Sequence, residues 1–280
     1  MDREEREKLE DLIREHGLWE HREIIVAAAR PTILVGLGDE GEGPVGHSRV
    51  GGVPDMPDAL PWPVEAESGE PLCFLLQVNF GELMALPGNP LPAAGMLYLF
   101  AGENRDDARQ VVVHLGREPL RPRHPAPGTE CVTDGYAGLA PHRLVFRLAA
   151  DVPRWATSDF VALCDRLGGD GDDDRLHDLG NATAEGTVGK LLGHASGLGD
   201  DPREDAYVVR EVNADWLYDS ERRGTLDLSR AARWHNLLEV ESIREVGLRF
   251  DDAGYLQVLV HEDDLRRRDF SRVYVNVQST

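Results

Sequence analysis

The sequence predicts an α+β fold, mostly antiparallel sheets with an N-terminal helical lead-in. Three observations carry this: apolar residues fall at helical spacing in residues 3–29, short β-like runs recur from residue 32 onward, and glycine and proline crowd the segments between them. With 280 residues, 41% hydrophobic and 29% charged, the chain can bury a sizeable core as one large domain or two small ones, so wholesale disorder is excluded.

Leu9, Leu12 and Ile13 share one face of a helix predicted over 3–16, with Gly17 as its stop. A second helical segment runs from Trp19 to Ala29 and must end before Pro31, which has no amide hydrogen to donate. Thr32–Val35 reads as a short strand, and residues 36–71, without helical period, as an irregular loop hugging the surface. β-like runs follow at 73–79, 95–100, 110–115 and 142–149, spaced as in an antiparallel meander. In the last of these Leu144, Phe146 and Leu148 alternate with Val145 and Arg147, the period-two pattern of a strand with one buried face. The proline-rich stretch 117–130 is expected to run along the outside.

Thr157 or Ser158 can cap a helix through Leu167, because either hydroxyl can accept an orphan amide hydrogen. Residues 168–186 break all periodicity and read as a mobile acidic loop. Strands are expected at 237–242, 246–250, 255–260 and 272–279, with a short helix at 261–268 whose acids lead and arginines trail, matching the helix dipole.

The chain reads as one domain over 1–280, with two similar subdomains, about 30–150 and 151–280, as an open alternative behind the helices at 3–29. SRVGGVPDMP, FLLQVN and GMLYLF in the first half resemble KLLGHASGLG, LLEVES and GYLQVLV in the second. Internal duplication and chance recurrence of glycine-plus-strand patterns both account for this order.

A net charge of −21 sets a repulsive field against phosphate backbones and anionic lipid, which argues against nucleic acid and membranes as partners. A cationic protein partner fits the sign, and so does simple selection for solubility. The N-terminus has no basic segment followed by an apolar one, so the chain is expected to be cytoplasmic. Cys73, Cys131 and Cys164 lack the spacing that lets two thiolates meet one metal and read as reduced thiols, with Cys73 packing as a small hydrophobe.

Gly36, Gly38 and Gly41 form a literal GxGxxG after a strand, but Pro44 and its successors supply no helix to hold a pyrophosphate, and Asp39, Glu40 and Glu42 would repel one. Asp170, Asp172 and Asp174 have the one-three-five spacing of a calcium loop, yet Arg175 stands where glycine is needed and Asn181 where a bidentate glutamate is needed. No HExxH and no GxSxG occurs; in Gly193-His194-Ala195-Ser196-Gly197 the serine is displaced by one position. No catalytic residue, cofactor or metal is therefore assigned. Gln77, an amide inside CFLLQVNF, must satisfy its donors and acceptors if it points inward, either by stitching a loop to the sheet or by binding a ligand. Trp62, between Pro61 and Pro63, is either a lid on the sheet or an aromatic anchor for a partner.

SRVGGVPDMPDALPWP, PLCFLLQVNFGEL, LPAAGMLYLF and the closing DDAGYLQVLVHEDDLRRRDFSRVYV resemble YwqG-like proteins, a bacterial family of unknown function, over about residues 30–277. Matching positions are Gly51, Gly52, Pro54, Pro57, Trp62, Pro63, Gln77, Gly95, Asp252, Gly254, Asp264 and Leu265. The resemblance implies antiparallel sheets and an internal duplication, and no reaction. Glu239 stands where the family tends to carry a second glutamine, and Phe250 where it tends to carry tryptophan. Some relatives sit near toxin systems, which suggests an immunity or accessory role by analogy.

The expected function is thus a non-enzymatic protein-interaction or accessory module using the 36–71 loop. The alternative is a small-molecule binder or unrecognised hydrolase with a cleft beside that loop, using Trp62, Gln77, Asp55, Asp58 and Glu239.

Overall fold

The computed structural model describes residues 1, 3–66, 68–83, 89–102, 109–125, 138–168, 173–251 and 254–279. Cys131, Asp170, Asp172 and Asp252 lie outside them.

The chain begins with α1 (Arg3–Glu15) and, after a 3-10 turn at Trp19–His21, α2 (Arg22–Ala28). Then come β1 (Arg30–Glu40), β2 (Arg49–Val50), β3 (Asp55–Met56), β4 (Cys73–Asn79), β5 (Met96–Ala101), β6 (Arg109–His114), β7 (Arg121–Pro122) and β8 (His142–Asp151). The second half holds α3 (Ser158–Leu167), α4 (Asp173–Thr183), β9 (Gly189–Leu192), α5 (Pro202–Tyr207) and α6 (Ser220–Arg223). It closes with β10 (Trp234–Glu241), β11 (Tyr255–His261), α7 (Glu262–Arg267) and β12 (Tyr274–Gln278).

Ten of these strands form one antiparallel sheet in the order β12-β11-β10-β9-β1-β8-β2-β4-β5-β6, coiled until its edge strands approach each other; β3 and β7 pair separately. This is the α+β, antiparallel architecture the sequence predicts. The inner face carries one apolar cluster, to which Val111 and Val113 of one edge strand and Val275 and Val277 of the other both belong. Alternation along each strand sends every second residue outward, where three smaller clusters cover it. α1 to α4 pack on the end of β8, the 53–72 loop with Trp62 packs on β4 and β5, and α5 with the following turns packs on Trp234, Leu259 and Tyr274.

Register relates the two halves. Arg49 faces Gln77 and Gln77 faces Tyr98, as Lys190 faces Glu239 and Glu239 faces Gln257. At the centre β1 pairs with β8 through Gly36 opposite Val145, flanked by Val35–Phe146 and Leu37–Leu144.

Four expectations are corrected. Residues 173–183 of the acidic segment form α4, because Leu176, Leu179 and Thr183 fall one turn apart and bury against the N-terminal helices. Burying each leucine contributes about 2 kcal/mol, enough to offset about 1 kcal/mol for Gly180 within the helix. Residues 246–250 form no strand: Val246, Leu248 and Phe250 do alternate inward, but Gly247 takes φ +82° and only an Ile243–Leu248 bridge forms. Cys73 packs in the core yet is disulfide-bonded, so its reading as a reduced thiol fails and cysteine usage does not argue for a reducing compartment. The 36–71 segment is more ordered than expected, since β1 runs on to Glu40 and β2 and β3 lie within it. Thr157 caps α3 as predicted, accepting from the Phe160 amide at 3.3 Å. No described helix is long and apolar enough to cross a membrane.

Gly51 ends β2 at φ +70°, where an added Cβ would lie 2.5 Å from the Ala140 carbonyl oxygen. Gly51→Ala is therefore expected to cost at least about 2 kcal/mol, through strain and displaced backbone together. Urea unfolding of the purified variant checks this; an unchanged midpoint would contradict the turn geometry.

Candidate functional site

The outer face of the sheet carries two polar centres, one in each half. In the first, β2 supplies Arg49, β3 Asp55, β4 Gln77 and β5 Tyr98, and Gln77 and Asp55 are 0% and 1% exposed. Arg49 Nη1 donates to Asp55 Oδ2 at 2.7 Å, and Gln77 Nε2 donates to the same oxygen at 3.0 Å and to the His47 carbonyl at 2.7 Å. Gln77 Oε1 accepts from the Asp55 amide, and the Tyr98 hydroxyl donates to the Asp55 carbonyl. Burial would raise the Asp55 carboxyl, but hydrogen bonds from Arg49, Gly46 and Gln77 outweigh it and hold it below the usual range. Gln77 thus ties the 46–56 loop to the sheet.

Nearby family-like positions serve the same packing. Trp62 Nε1 donates to the Leu72 carbonyl and the ring meets Phe100 edge-on at 5.3 Å. The carbonyls of Pro54 and Pro57 accept from Arg123, and that of Pro63 from the Leu72 amide. Asp58 is apart from Gln77, exposed and paired with Arg121. Gly52 is approached by the Glu42 carboxylate, Gly95 receives the Phe80 amide, Gly254 receives Ser242, and Asp264 lies buried in α7. A groove of about 320 Å³ between Trp62 and Arg123 is the cleft beside the loop, but its Arg123 and Trp62 donors are already engaged by backbone carbonyls.

The second centre is built on Asp151, 1% exposed at the end of β8. Its Oδ1 accepts from Arg154 Nε at 2.9 Å, and its Oδ2 from Lys190 Nζ at 3.0 Å and from the His194 amide at 2.8 Å. Burial opposes ionisation here, and the charges of Arg154, Lys190 and His194 overcome it, pulling the carboxyl well below its ordinary range. Lys190 also approaches Glu239 at 4.0 Å. Glu239, 6% exposed, accepts from Ser196 Oγ at 3.1 Å and from Gln257 Nε2 at 2.9 Å, while Gln257 also donates to the Ser196 carbonyl.

This centre opens into a cleft of about 130 Å³ whose lining includes Arg154, Trp155, Ser196, Glu239, Glu241 and Tyr255. Glu241, two residues beyond Glu239, shares its face of β10, and Tyr255 lies opposite Glu241 on β11. Glu241 is exposed and lines the cleft, and partial burial there, followed by the charge of Glu239, raises its pKa. Burial, and after it Glu239, pushes the Tyr255 phenol up. The Tyr255 hydroxyl and Gln257 Oε1 are buried without a hydrogen-bond partner among the described residues. Trp155, 47% exposed, stands at the rim with His177 edge-on at 5.8 Å.

Of the residues predicted from sequence, Gln77 and Asp55 meet in the first centre and Glu239 alone reaches the second. Arg154, Glu241 and Tyr255 went unrecognised. The signal for Glu241 was the Glu-x-Glu spacing in LLEVES, which places two carboxylates on one strand face.

A family model described as a domain of unknown function, DUF1963, matches residues 48–279. The chain belongs to this family. Both polar centres of this DUF1963 member draw on the matched region, while α1, α2 and β1 precede it. Comparison with curated proteins finds no match.

Asp151→Asn would leave Arg154 and Lys190 buried without their counter-ion, at an expected cost of about 3 kcal/mol or more at pH 7. A carboxyl held below its unfolded value gives stability that is complete above about pH 4 and lost as pH falls through the folded value. The difference between wild type and variant in urea unfolding should therefore narrow in acid; a gap unchanged at low pH would contradict the charge-based role.

Proposed function

We propose that this protein binds a small polar molecule in the cleft bounded by Arg154, Glu239, Glu241 and Tyr255. The observation that carries the reading is a buried hydroxyl without a partner among the described residues, at Tyr255, opposite the cleft-lining carboxyl of Glu241, whose pKa is raised, in a concave site. A buried polar group left unpaired costs about 1–3 kcal/mol, so a site that retains one is suited to a ligand that supplies the bond.

The cleft lies in the second half of the chain rather than beside the 36–71 loop. Trp62 Nε1, the Gln77 amide and Asp55 Oδ2 are engaged within the molecule, and Asp55 Oδ1 is buried without a hydrogen-bond partner among the described residues and does not line the groove beside the loop, which favours binding at Glu239 over a partner surface on the loop. The motif resemblance supports placing the protein among YwqG-like bacterial proteins, and the reading assigns it a ligand but no reaction.

A thermal-shift panel of small polar metabolites tests this, because a ligand selective for the folded state adds about 2.7 kcal/mol at a hundred times its Kd. A saturable rise in Tm is expected for some of the panel, weakened in Tyr255→Phe. That variant removes an unsatisfied hydroxyl and is expected to be no less stable than wild type. A flat panel, or a shift indifferent to Tyr255→Phe, would sink the reading.

A further inference from the structure

We infer that the group held in this cleft is a small organic monocation, an ammonium or guanidinium head rich in N–H donors. The inference rests on the ligand-binding reading above and adds the chemistry of the ligand. Charge is the first ground. Asp151 is shared between Arg154 on one oxygen and Lys190 on the other, and Lys190 also approaches Glu239. Glu241 is the carboxylate of the cleft without a hydrogen bond or ion pair among the described residues.

Hydrogen-bonding capacity is the second ground and is independent of charge. Glu239 is already served by Ser196 and Gln257, which leaves Glu241 and the Tyr255 oxygen as lining acceptors still open among the described residues. A surplus of acceptors calls for a ligand that donates. The volume, about 130 Å³, is below the usual range for drug-sized ligands and admits a head group rather than a nucleotide. Trp155 offers an exposed ring at the rim against which such a head can lie.

The first half shows what a filled version of this centre looks like. Asp55 stands six residues after Arg49 as Ser196 stands six after Lys190, and Asp55 occupies its centre with an ion pair of the chain's own making.

Isothermal titration of the full chain at pH 7.5 with methylguanidinium and n-butylammonium, against butyrate and n-butanol as anionic and neutral controls, tests the inference. At least one cation is expected to bind saturably and neither control to do so. Affinity should fall at least tenfold in Glu241→Gln. The groups around Glu241 as pH runs from 5 to 7.5 are Arg154, Lys190, Glu239 and Tyr255, with His177 lining the same cleft. A carboxyl of raised pKa gains charge over that range, so cation binding should strengthen with pH and Glu241→Gln should remove the Glu241 part of the trend. Since an acid with a raised folded pKa destabilises the fold as it ionises, Glu241→Gln should have a Tm at or above wild type at pH 7.5, which separates lost binding from misfolding. Butyrate or butanol binding at the cleft would overturn the cation class while leaving a ligand site in place. Cation binding untouched by Glu241→Gln would overturn the location. Silence from all four probes would overturn the class, and a flat metabolite panel beside it would overturn the site as well.

Discussion

The antiparallel ladder between β1 and β8 is the constraint on which the rest of this structure depends. β1 and β8 exchange backbone hydrogen bonds with each other, and β1 also pairs with β9 of the second half while β8 pairs with β2 of the first. The strands β9 to β12 therefore join the sheet through β1, and the two halves fold as one curved sheet with a shared inner core. Without β9 the backbone groups of β1 would be unpaired along one side, and that cost ties the halves together. Gly36 sits at the middle of the ladder, where a Cβ would meet Val145 at 3.1 Å. Such pairing joins strands distant in sequence, which is the kind of contact that slows folding.

The same exchange places Asp151. Because β8 ends where β1 begins, with Arg30 opposite Asp151, the carboxylate arrives beside β9 and can hold Lys190 and the His194 amide. Arg154 then follows within the same turn. A buried ion pair is weak evidence for stability in itself, since apolar replacements of similar volume often do as well. Its persistence here is better explained by position: Asp151 fixes Lys190 and Arg154, and those two cations allow Glu239 to stay in a 6% exposed setting.

Much of this fold was legible because its strands are long and alternate. The runs at 73–79, 95–100, 110–115, 142–149 and 255–260 match observed strands within a residue or two, as does the capped helix ending at Leu167. The failures have physical causes. Segment 168–186 is so acidic that Leu176 and Leu179 were outvoted, although two leucines facing a partner helix decide the matter once tertiary packing exists. Residues 246–250 alternate like a strand, but Gly247 in a left-handed conformation turns the chain before a ladder can form. The site was less legible still. Glu239 was recognisable as a departure from a glutamine, whereas Arg154 and Tyr255 join it only through the strand order, which no local pattern states.

Gln77 and Glu239 show how the same position in two registers yields opposite chemistry. Both sit on the outer face of a central strand, opposite a basic residue on one side and an amide or phenol on the other. With glutamine, the position both donates and accepts, so a neighbouring carboxylate and a backbone amide satisfy it and the loop is drawn down onto the sheet. With glutamate, the position only accepts, so it takes the donors of Ser196 and Gln257 and leaves Gln257 Oε1 without a partner among the described residues. A carboxylate there also repels a second one, which fits a serine as the counterpart of Asp55 and adds to burial in raising the pKa of Glu241. One change from amide to acid thus separates a centre that closes on itself from one that remains open to solvent.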